Sequence, residues 1–366
     1  MMTEAGTLPA VDPAYLEAFL VRLLNTPSPT GFAQEAIGLV EKELAQYDNV
    51  STRRTHKGAL LITVPGPEGG APRRALTAHV DTLGAMVKEI KPSGRLTLTN
   101  VGGFAWGSVE GEGCWVHTRG HGRVRGSILP NQASVHVYSG ARDNKRDAES
   151  MEVRLDAKVD SVEATRQLGV EVGDFVSFDA RVEVNDGFVR SRHLDDKAAV
   201  AVLVAVVQAL HTTGLKPTKD TIFLVSNYEE VGFGGASDFP VTLEELVAVD
   251  MAAIGSGQAS DEFHATLCVK DSSGPYHHGL SNRLRDLAEK YKVPYKVDIY
   301  PYYGSDAKAY WGAGGAAAIA LIGPGVDSSH HYERTHRDAL LATANWVLAY
   351  LLEEYTCPGY TRNRQD

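Results

Sequence analysis

Apolar and polar positions change their spacing twice along the chain, and each change predicts a different kind of structure. Near the start, apolar residues recur at helical spacing and predict helices over 15–24 and 33–44. Short, mainly apolar segments then predict two strands, over 59–64 and 75–79. The first part of the chain therefore has α/β character.

Between residues 88 and 190 apolar residues recur at every second position. Apolar and polar residues alternate in short runs, at 95–99, 134–138, 152–155 and 175–178. Turns rich in Gly, Pro, Asn and Asp separate these runs, and helical spacing returns at 161–168. So many short alternating runs are typical of an antiparallel barrel or sandwich. We therefore predict an inserted all-β, barrel-like domain over 88–190.

After the insertion the α/β pattern returns. The stretch 198–210 is apolar on almost every side, which predicts a buried helix. Further buried strands and helices are predicted by similar patterns, the strands over 221–226, 246–249 and 317–322 and the helices over 279–292 and 340–355. The sequence thus predicts one α/β domain, formed by residues 1–87 and 191–366 and split by the β insertion.

Composition narrows the class of protein. The chain has 366 residues, 43% of them apolar, and 46 acidic residues against 36 basic ones give a net charge of −10. An acidic balance without a basic block argues against nucleic acid or an anionic membrane as a partner, and the longest apolar run, 198–207, is too short to span a bilayer. The three cysteines, Cys114, Cys268 and Cys357, are widely spaced, and the N-terminal segment lacks the layout of a signal peptide. Both features predict a protein of the reducing cytoplasm.

Acidic residues and histidines follow the predicted buried strands. In chain order they are His79 and Asp81, Glu229 and Glu230, Asp250, and His330 with His331. Asp195 and Asp196 stand where the buried helix begins. Because ligands of open α/β sheets bind outside the carboxyl ends of the strands, we expect these side chains to meet at one rim.

Several carboxylates in a half-buried crevice need a cation, because like charges at short distance cannot all stay ionised. Nitrogen and oxygen donors without a thiolate suit zinc, cobalt or manganese. The number of donors fits two ions better than one, with a carboxylate bridging them. Each motif alone has a structural alternative, such as a helix N-cap at Asp195 and Asp196 or a solvated turn at Glu229 and Glu230. Their joint placement at buried strand ends favours the metal site.

Three ordered motifs carry a resemblance to a known family. They are Thr77-Ala78-His79-Val80-Asp81, Leu194-Asp195-Asp196-Lys197 and Tyr228-Glu229-Glu230-Val231-Gly232, and the segments 249–251 and 304–307 fit the same pattern. This set resembles the dinuclear metallo-aminopeptidases of the glutamyl or tetrahedral aminopeptidase family, also described as cellulase-M-like. The resemblance implies a three-layer, mixed-sheet zinc-peptidase domain whose β insertion mediates dimerisation and assembly up to a dodecamer. It also implies an aminopeptidase that hydrolyses short peptides through a metal-activated water.

The resemblance gives each candidate residue a role. The implied metal ligands are His79, Asp195, Glu230, Asp250 and His330. Asp195 would bridge the two ions, Asp81 would hold the imidazole of His79, and Glu229 would be the general base.

Two positions depart from the family's pattern. Lys197 stands where the family has Arg after Asp-Asp, and His193 precedes that motif unusually closely. The final motif, at 328–336, offers three histidines; His330 is favoured, while His331 and His336 stay open.

Two other functions also stay open. One is a carboxypeptidase or deacylase of a related dinuclear fold, which uses much the same ligands. The other is a non-catalytic, metal-stabilised assembly protein, although Glu229 and Asp81 are not needed merely to hold metal. The tyrosines Tyr300, Tyr302 and Tyr303 either line a substrate pocket or serve ordinary packing. The glycine-rich segments 232–235 and 312–315 lack the dinucleotide-binding pattern and predict tight turns near the crevice.

Overall fold

The helices and strands follow the apolar pattern in a computed structural model that describes residues 7–67 and 69–353. The helices are α1 (Pro13–Leu24), α2 (Gln34–Leu44), α3 (Val162–Gln167), α4 (Leu194–Thr213), α5 (His278–Tyr291), α6 (Asp306–Gly312) and α7 (Arg337–Leu352). The strands are β1 (Ser51–Arg54), β2 (Leu60–Val64), β3 (Arg74–His79), β4 (Gly84–Ile90), β5 (Leu96–Val101), β6 (Gly113–His117), β7 (Arg123–Pro130), β8 (Met151–Leu155), β9 (Phe175–Phe178), β10 (Glu183–Asn185), β11 (Phe188–Ser191), β12 (Thr221–Ser226), β13 (Glu245–Val249), β14 (Ala252–Ala253), β15 (Ala265–Asp271), β16 (Gly274–Pro275), β17 (Tyr295–Ile299), β18 (Ala318–Val326) and β19 (Glu333–His336). The predicted end of the last helix at 355 and Cys357 lie outside the described residues.

Ten strands form one mixed sheet with parallel strands at its centre. The order is β1, β2, β12, β3, β13, β18, β15 and β16, with β14 beside β18 and β17 beside β15. The four strands from β12 to β18 run parallel. Parallel strands with continuous apolar sequence are typically covered on both faces, and this sheet follows that rule.

Alternate residues of β12 show the two faces. Phe223 and Val225 pack in the large core with α1, α2, α4, α5 and α7. Ile222 and Leu224 pack in a second core, which includes Ala307 of α6. Helices therefore cover both faces of the sheet, and the predicted mixed-sheet α/β fold is confirmed.

Helix α4 carries one of the acidic motifs into the centre of the domain. From Ala198 to Val207 every residue is fully buried, as its all-round apolar sequence predicts. Asp195 and Asp196 have non-helical backbone angles, so the regular helix begins at Lys197. This arrangement places Asp195 at the end of α4 that faces the sheet rim.

The insertion is a closed antiparallel barrel of six strands in the order β4, β5, β8, β7, β6 and β9. Its separate core contains apolar residues from alternate positions of its strands, among them Leu96, Leu98 and Val116. The predicted barrel is confirmed, whereas the domain limits at 88 and 190 stay a prediction. Strands β10, β11 and β19 form a further three-stranded sheet. It pairs the segment that follows the last barrel strand with the strand that directly precedes α7.

One predicted strand, 134–138, is wrong. The segment is a turn between β7 and β8, in which Val137 N–H and Tyr138 N–H both donate to the carbonyl of Ser134. Val135 and Val137 are 52% and 71% exposed. The alternating apolar side chains of this segment have no buried surface against which to pack, so the segment does not form a strand.

His117 lies where the barrel meets the α/β domain and is expected to make the protein sensitive to acid. It is buried, its Nε2 lies 2.8 Å from Ser177 Oγ, and its ring centroid lies 4.7 Å from that of Phe32. Burial, assisted by the charge of Arg123, lowers the pKa of His117 to about 4. The unfolded chain takes up this proton near pH 6.5, so the free energy of unfolding falls as the pH drops from about 6.5 to 4.

We expect His117→Gln to reduce this acid-dependent loss of stability. The measurement is the urea midpoint at pH 7 and at pH 5, compared with wild type. His121→Gln changes an exposed histidine of the same barrel and should match the wild-type difference. The same loss between the two pH values in His117→Gln as in wild type would contradict the assignment.

Candidate metal centre

Loops at the carboxyl ends of the central strands bring the predicted donors together. The donors come from five elements: His79 ends β3, Glu229 and Glu230 form a 3₁₀ turn after β12, Asp250 follows β13, His330 lies in the loop after β18, and Asp195 precedes the regular part of α4. Strands β3, β12, β13 and β18 are parallel neighbours, so their carboxyl ends form one rim.

Two groups of side chains could each hold a metal ion, and they share Asp195. The first consists of His79, Asp195 and Asp250, and the second of Asp195, Glu230 and His330; within each, the ligand atoms lie within 4.8 Å of one another. Oδ1 of Asp195 lies 3.1 Å from Nε2 of His79, and Oδ2 lies 3.4 Å from Nε2 of His330. One carboxylate therefore faces both histidines with different oxygens.

Backbone carbonyls orient both imidazoles. Nδ1 of His79 lies 2.9 Å from the carbonyl oxygen of Asp81, and Nδ1 of His330 lies against the carbonyl oxygen of Gly103. With Nδ1 directed at a carbonyl, each Nε2 faces the carboxylates, where it would bind a cation in place of its proton. The nearest contact of Asp81 with the His79 ring is thus its carbonyl, since its carboxylate is 3.8 Å away.

The carboxylate of Asp81 contacts the loop that carries Glu229. It accepts hydrogen bonds from Thr30 Oγ1, at 2.7 Å, and from the backbone N–H groups of Glu229 and Glu230, at 3.3 and 3.4 Å. The carboxylate of Glu229 is partly accessible, and its Oε2 lies 3.7 Å from Nε2 of His79. Asp81 therefore fixes the backbone from which Glu229 extends.

Burial and mutual repulsion raise the pKa values of the clustered carboxylates. Burial, together with the charge of Asp195, raises the pKa of Glu230 to about 8 and that of Asp250 to about 7. Burial and the charges of neighbouring carboxylates also raise the pKa of Glu229 well above its usual value. Burial opposes the charged form of His330, but hydrogen bonding to Asp195 and the nearby Glu230 raise its pKa to about 10.

The donor set fits divalent cations. Within the described chain, the cationic partners of Asp195, Glu229 and Glu230 are His79 and His330, so no lysine or arginine neutralises the cluster. Imidazole nitrogens and carboxylate oxygens without thiolates suit zinc, cobalt and manganese. A cation would replace the protons that these groups otherwise retain.

Of the three histidines in the final motif, His330 faces the cluster. The exposed His331 accepts a hydrogen bond on Nδ1 from the N–H of Tyr332. The ring of His336 packs 4.8 Å from that of Phe188, and its Nδ1 accepts the N–H of Asp338 at the start of α7. Both lie outside the two groups.

A model of the M42 glutamyl aminopeptidase family matches residues 58–346. This chain belongs to the M42 family. Over 330 residues it is 50% identical to the Bacillus subtilis (strain 168) protein named "Putative aminopeptidase YhfE", a match that covers 90% of this chain and 95% of that protein. The family predicted from the motifs is confirmed. The protein is an M42 aminopeptidase, which is a metallopeptidase.

Solved structures show the same fold at low sequence identity. The Pyrococcus horikoshii TET1 peptidase, described as able to assemble into a tetrahedron or a large octahedral shell, matches with a TM-score of 0.81 and 21% identity over 93% of this chain and 100% of that one. The aminopeptidase APDkam598 of the archaeon Desulfurococcus kamchatkensis matches with a TM-score of 0.82 and 19% identity over 93% and 96%. Among the residues described for this M42 aminopeptidase, no helix is long and apolar enough to cross a bilayer.

A cleft of about 1040 Å³ opens beside the cluster of the M42 aminopeptidase. All three tyrosines considered from the sequence line it, although they differ in burial: Tyr300 is 2% exposed and bonds to Ser260, whereas Tyr302 is 98% exposed. Tyr303 donates its hydroxyl to the carbonyl of Met251. The tyrosines therefore combine packing with lining of the cleft.

The two departures from the M42 pattern, Lys197 and His193, are both buried and flank the Asp195–Asp196 motif in the sequence. Lys197 is fully buried and donates to the carbonyl of Thr26 at 2.6 Å, and burial lowers its pKa to about 7. His193 is buried outside both groups of donors, and burial lowers its pKa well below the usual value. These residues contribute to packing around the start of α4.

Glu333, which no sequence pattern marks as a candidate, is buried against two donors. It accepts the N–H of Asp195 and the N–H of His330, each at 3.2 Å. Burial and the charge of Asp195 raise its pKa well above the usual value. Its only signal in the sequence is its position three residues after His330, in the motif that offers the three histidines.

Proposed function

We propose that this M42 aminopeptidase removes N-terminal residues from short peptides with two bound divalent cations, zinc first among them. His79 and Asp250 would be ligands of one cation, Glu230 and His330 of the other, and Asp195 would bridge them. The observation that carries this proposal is the shared carboxylate of Asp195, whose two oxygens face separate histidines among acids that no lysine or arginine of residues 7–67 and 69–353 neutralises. When bound, the cations would polarise the scissile carbonyl and lower the pKa of a water molecule.

Glu229 is proposed as the general base. It would accept a proton from the attacking water, whose oxygen bonds to the carbonyl carbon, and return that proton to the amine as the carbon–nitrogen bond breaks. Its place in the cleft, its distance of 3.7 Å from His79 Nε2 and its raised pKa support this role. The hydrogen bond from its N–H to Asp81 would keep the carboxylate in position.

The barrel is proposed as the surface through which copies of the chain assemble, from a dimer up to a dodecamer. The TET1 peptidase, which shares the fold, forms shells. A shell would restrict the substrates to short peptides. We also propose a reducing cytoplasm as the compartment, which the free thiols of Cys114 and Cys268 support.

The proposal is tested with the purified chain, metal analysis and three versions of one short peptide. We expect two equivalents of zinc per chain and cleavage of the peptide with a free amine, whether or not its C-terminus is amidated. We expect no cleavage of the N-acetylated peptide, and chelation should abolish activity until zinc is restored.

Each alternative has its own outcome in this test. Cleavage that needs a free C-terminal carboxylate indicates a carboxypeptidase, and release of the acetyl group indicates a deacylase. A protein that binds two zinc ions, assembles and cleaves none of the peptides is a metal-stabilised assembly protein.

A further inference from the structure

The barrel insertion contacts the second group of donors directly. The loop after β5 places the carbonyl of Gly103 against Nδ1 of His330. The preceding Gly102 has φ +79°, and a Cβ there would lie 3.4 Å from Cβ of Glu230. In the first group, by contrast, the orienting carbonyl belongs to Asp81, two residues after His79. The two groups therefore differ in the part of the chain that supports them.

Arg192 joins the barrel to the loop that carries His330. It follows β11, stands three residues before Asp195, and only 4% of it is exposed. One guanidinium nitrogen donates to the carbonyl of His331 at 3.2 Å. The other donates to the carbonyl of Ser108 and, at 3.0 Å, to the carboxylate of Glu112. A single planar side chain thus bonds to both sides of the junction.

Glu112 provides the charge that holds Arg192. It is 6% exposed and lies directly before β6. The same carboxylate oxygen also accepts a bond from Arg181 at 2.6 Å. Removal of Glu112 would leave the buried guanidinium of Arg192 without its carboxylate, which is costly, whereas Glu112 keeps Arg181 if Arg192 is lost.

We infer that Arg192 and Glu112 are positioning residues for the second cation site, and that the barrel thereby forms part of the catalytic centre. They act through the backbone at His331 and hold His330 between the carbonyl of Gly103 and the carboxylates of Asp195 and Glu230. This inference rests on the proposed two-metal function. It adds that one of the two cations depends on the inserted domain and the other does not.

The test compares zinc binding to Arg192→Met and to wild type. Each protein is stripped by chelation and titrated calorimetrically with zinc near neutral pH, and its melting temperature is measured in chelator. We expect one zinc affinity of the variant to fall about 10–100-fold, which is typical when a partner that orients a ligand is lost. The other affinity should stay within about twofold, and kcat should fall with the occupancy of the weakened site. A purely structural role would shift the melting temperature without separating the two affinities.

Arg125→Met is the matched control. Arg125, on β7 of the barrel, is likewise an arginine paired with a carboxylate, Asp179 at 2.6 Å, and it also contacts Cys114 and Trp115 of β6 rather than the His330 loop. It should bind zinc as wild type does. Glu112→Gln serves as the second variant if Arg192→Met does not fold, and the same separation of affinities is expected for it.

The outcomes separate this inference from the proposed function. Two unchanged zinc affinities in a folded Arg192→Met or Glu112→Gln protein overturn the inference and leave the two-metal peptidase intact. Equal weakening of both sites also overturns it. A wild-type chain that binds no zinc overturns both proposals.

Discussion

Glu229→Gln is expected to lower kcat by about 10²–10⁴-fold while the chain keeps both zinc ions. The amide has nearly the same shape as the carboxylate but cannot accept the proton of the attacking water. Since Glu229 is not a member of either group of donors, its loss should leave the metal content unchanged. The measurement is kcat on a free-amine peptide together with zinc per chain.

Glu230→Gln provides the contrast for this prediction. Glu230 belongs to the second group of donors, so its variant should lose zinc as well as activity. A Glu229→Gln protein with two zinc ions and wild-type kcat would remove Glu229 from the mechanism.

Asp195→Asn is expected to remove both ions and to reduce peptide hydrolysis to the level of the reaction without enzyme. Asp195 is shared by the two groups, and a neutral amide neither bridges two cations nor balances their charge. His330→Ala should lose one ion, and His331→Ala, which changes the exposed neighbour, should lose none. Zinc per chain after dialysis and activity on the same peptide check all three variants.

A different ranking of these variants would contradict the assignment. If His331→Ala loses an ion and His330→Ala keeps two, the assignment of His330 as the last metal ligand is wrong. If Asp195→Asn keeps both ions, the bridging role is wrong.

Much of the fold follows from local sequence because the apolar pattern matches the two faces of the sheet. The all-round apolar sequence of α4 predicts its burial, and the continuous apolar strands predict the parallel centre. The failure at 134–138 shows the limit of this reasoning. Alternation of apolar and polar residues predicts a strand only where another element covers the apolar face, and Val137 is 71% exposed.

The donors could be predicted from sequence because each follows a recognisable strand or begins the buried helix. The groups that support them could not, since they come from other parts of the chain. The carbonyl of Gly103 lies 227 positions from His330, and backbone carbonyls have no signature in the sequence. Likewise, nothing local in the sequence indicates that Arg192 reaches His331, 139 positions away.

The order of the donors along the chain has a consequence during synthesis. A nascent polypeptide that has been synthesised as far as residue 300 contains His79, Asp195 and Asp250 but not His330. The second group of donors is therefore incomplete until residue 330 has been added. A product that ends before residue 330 lacks a donor of that group, so we expect it not to form the proposed two-metal site.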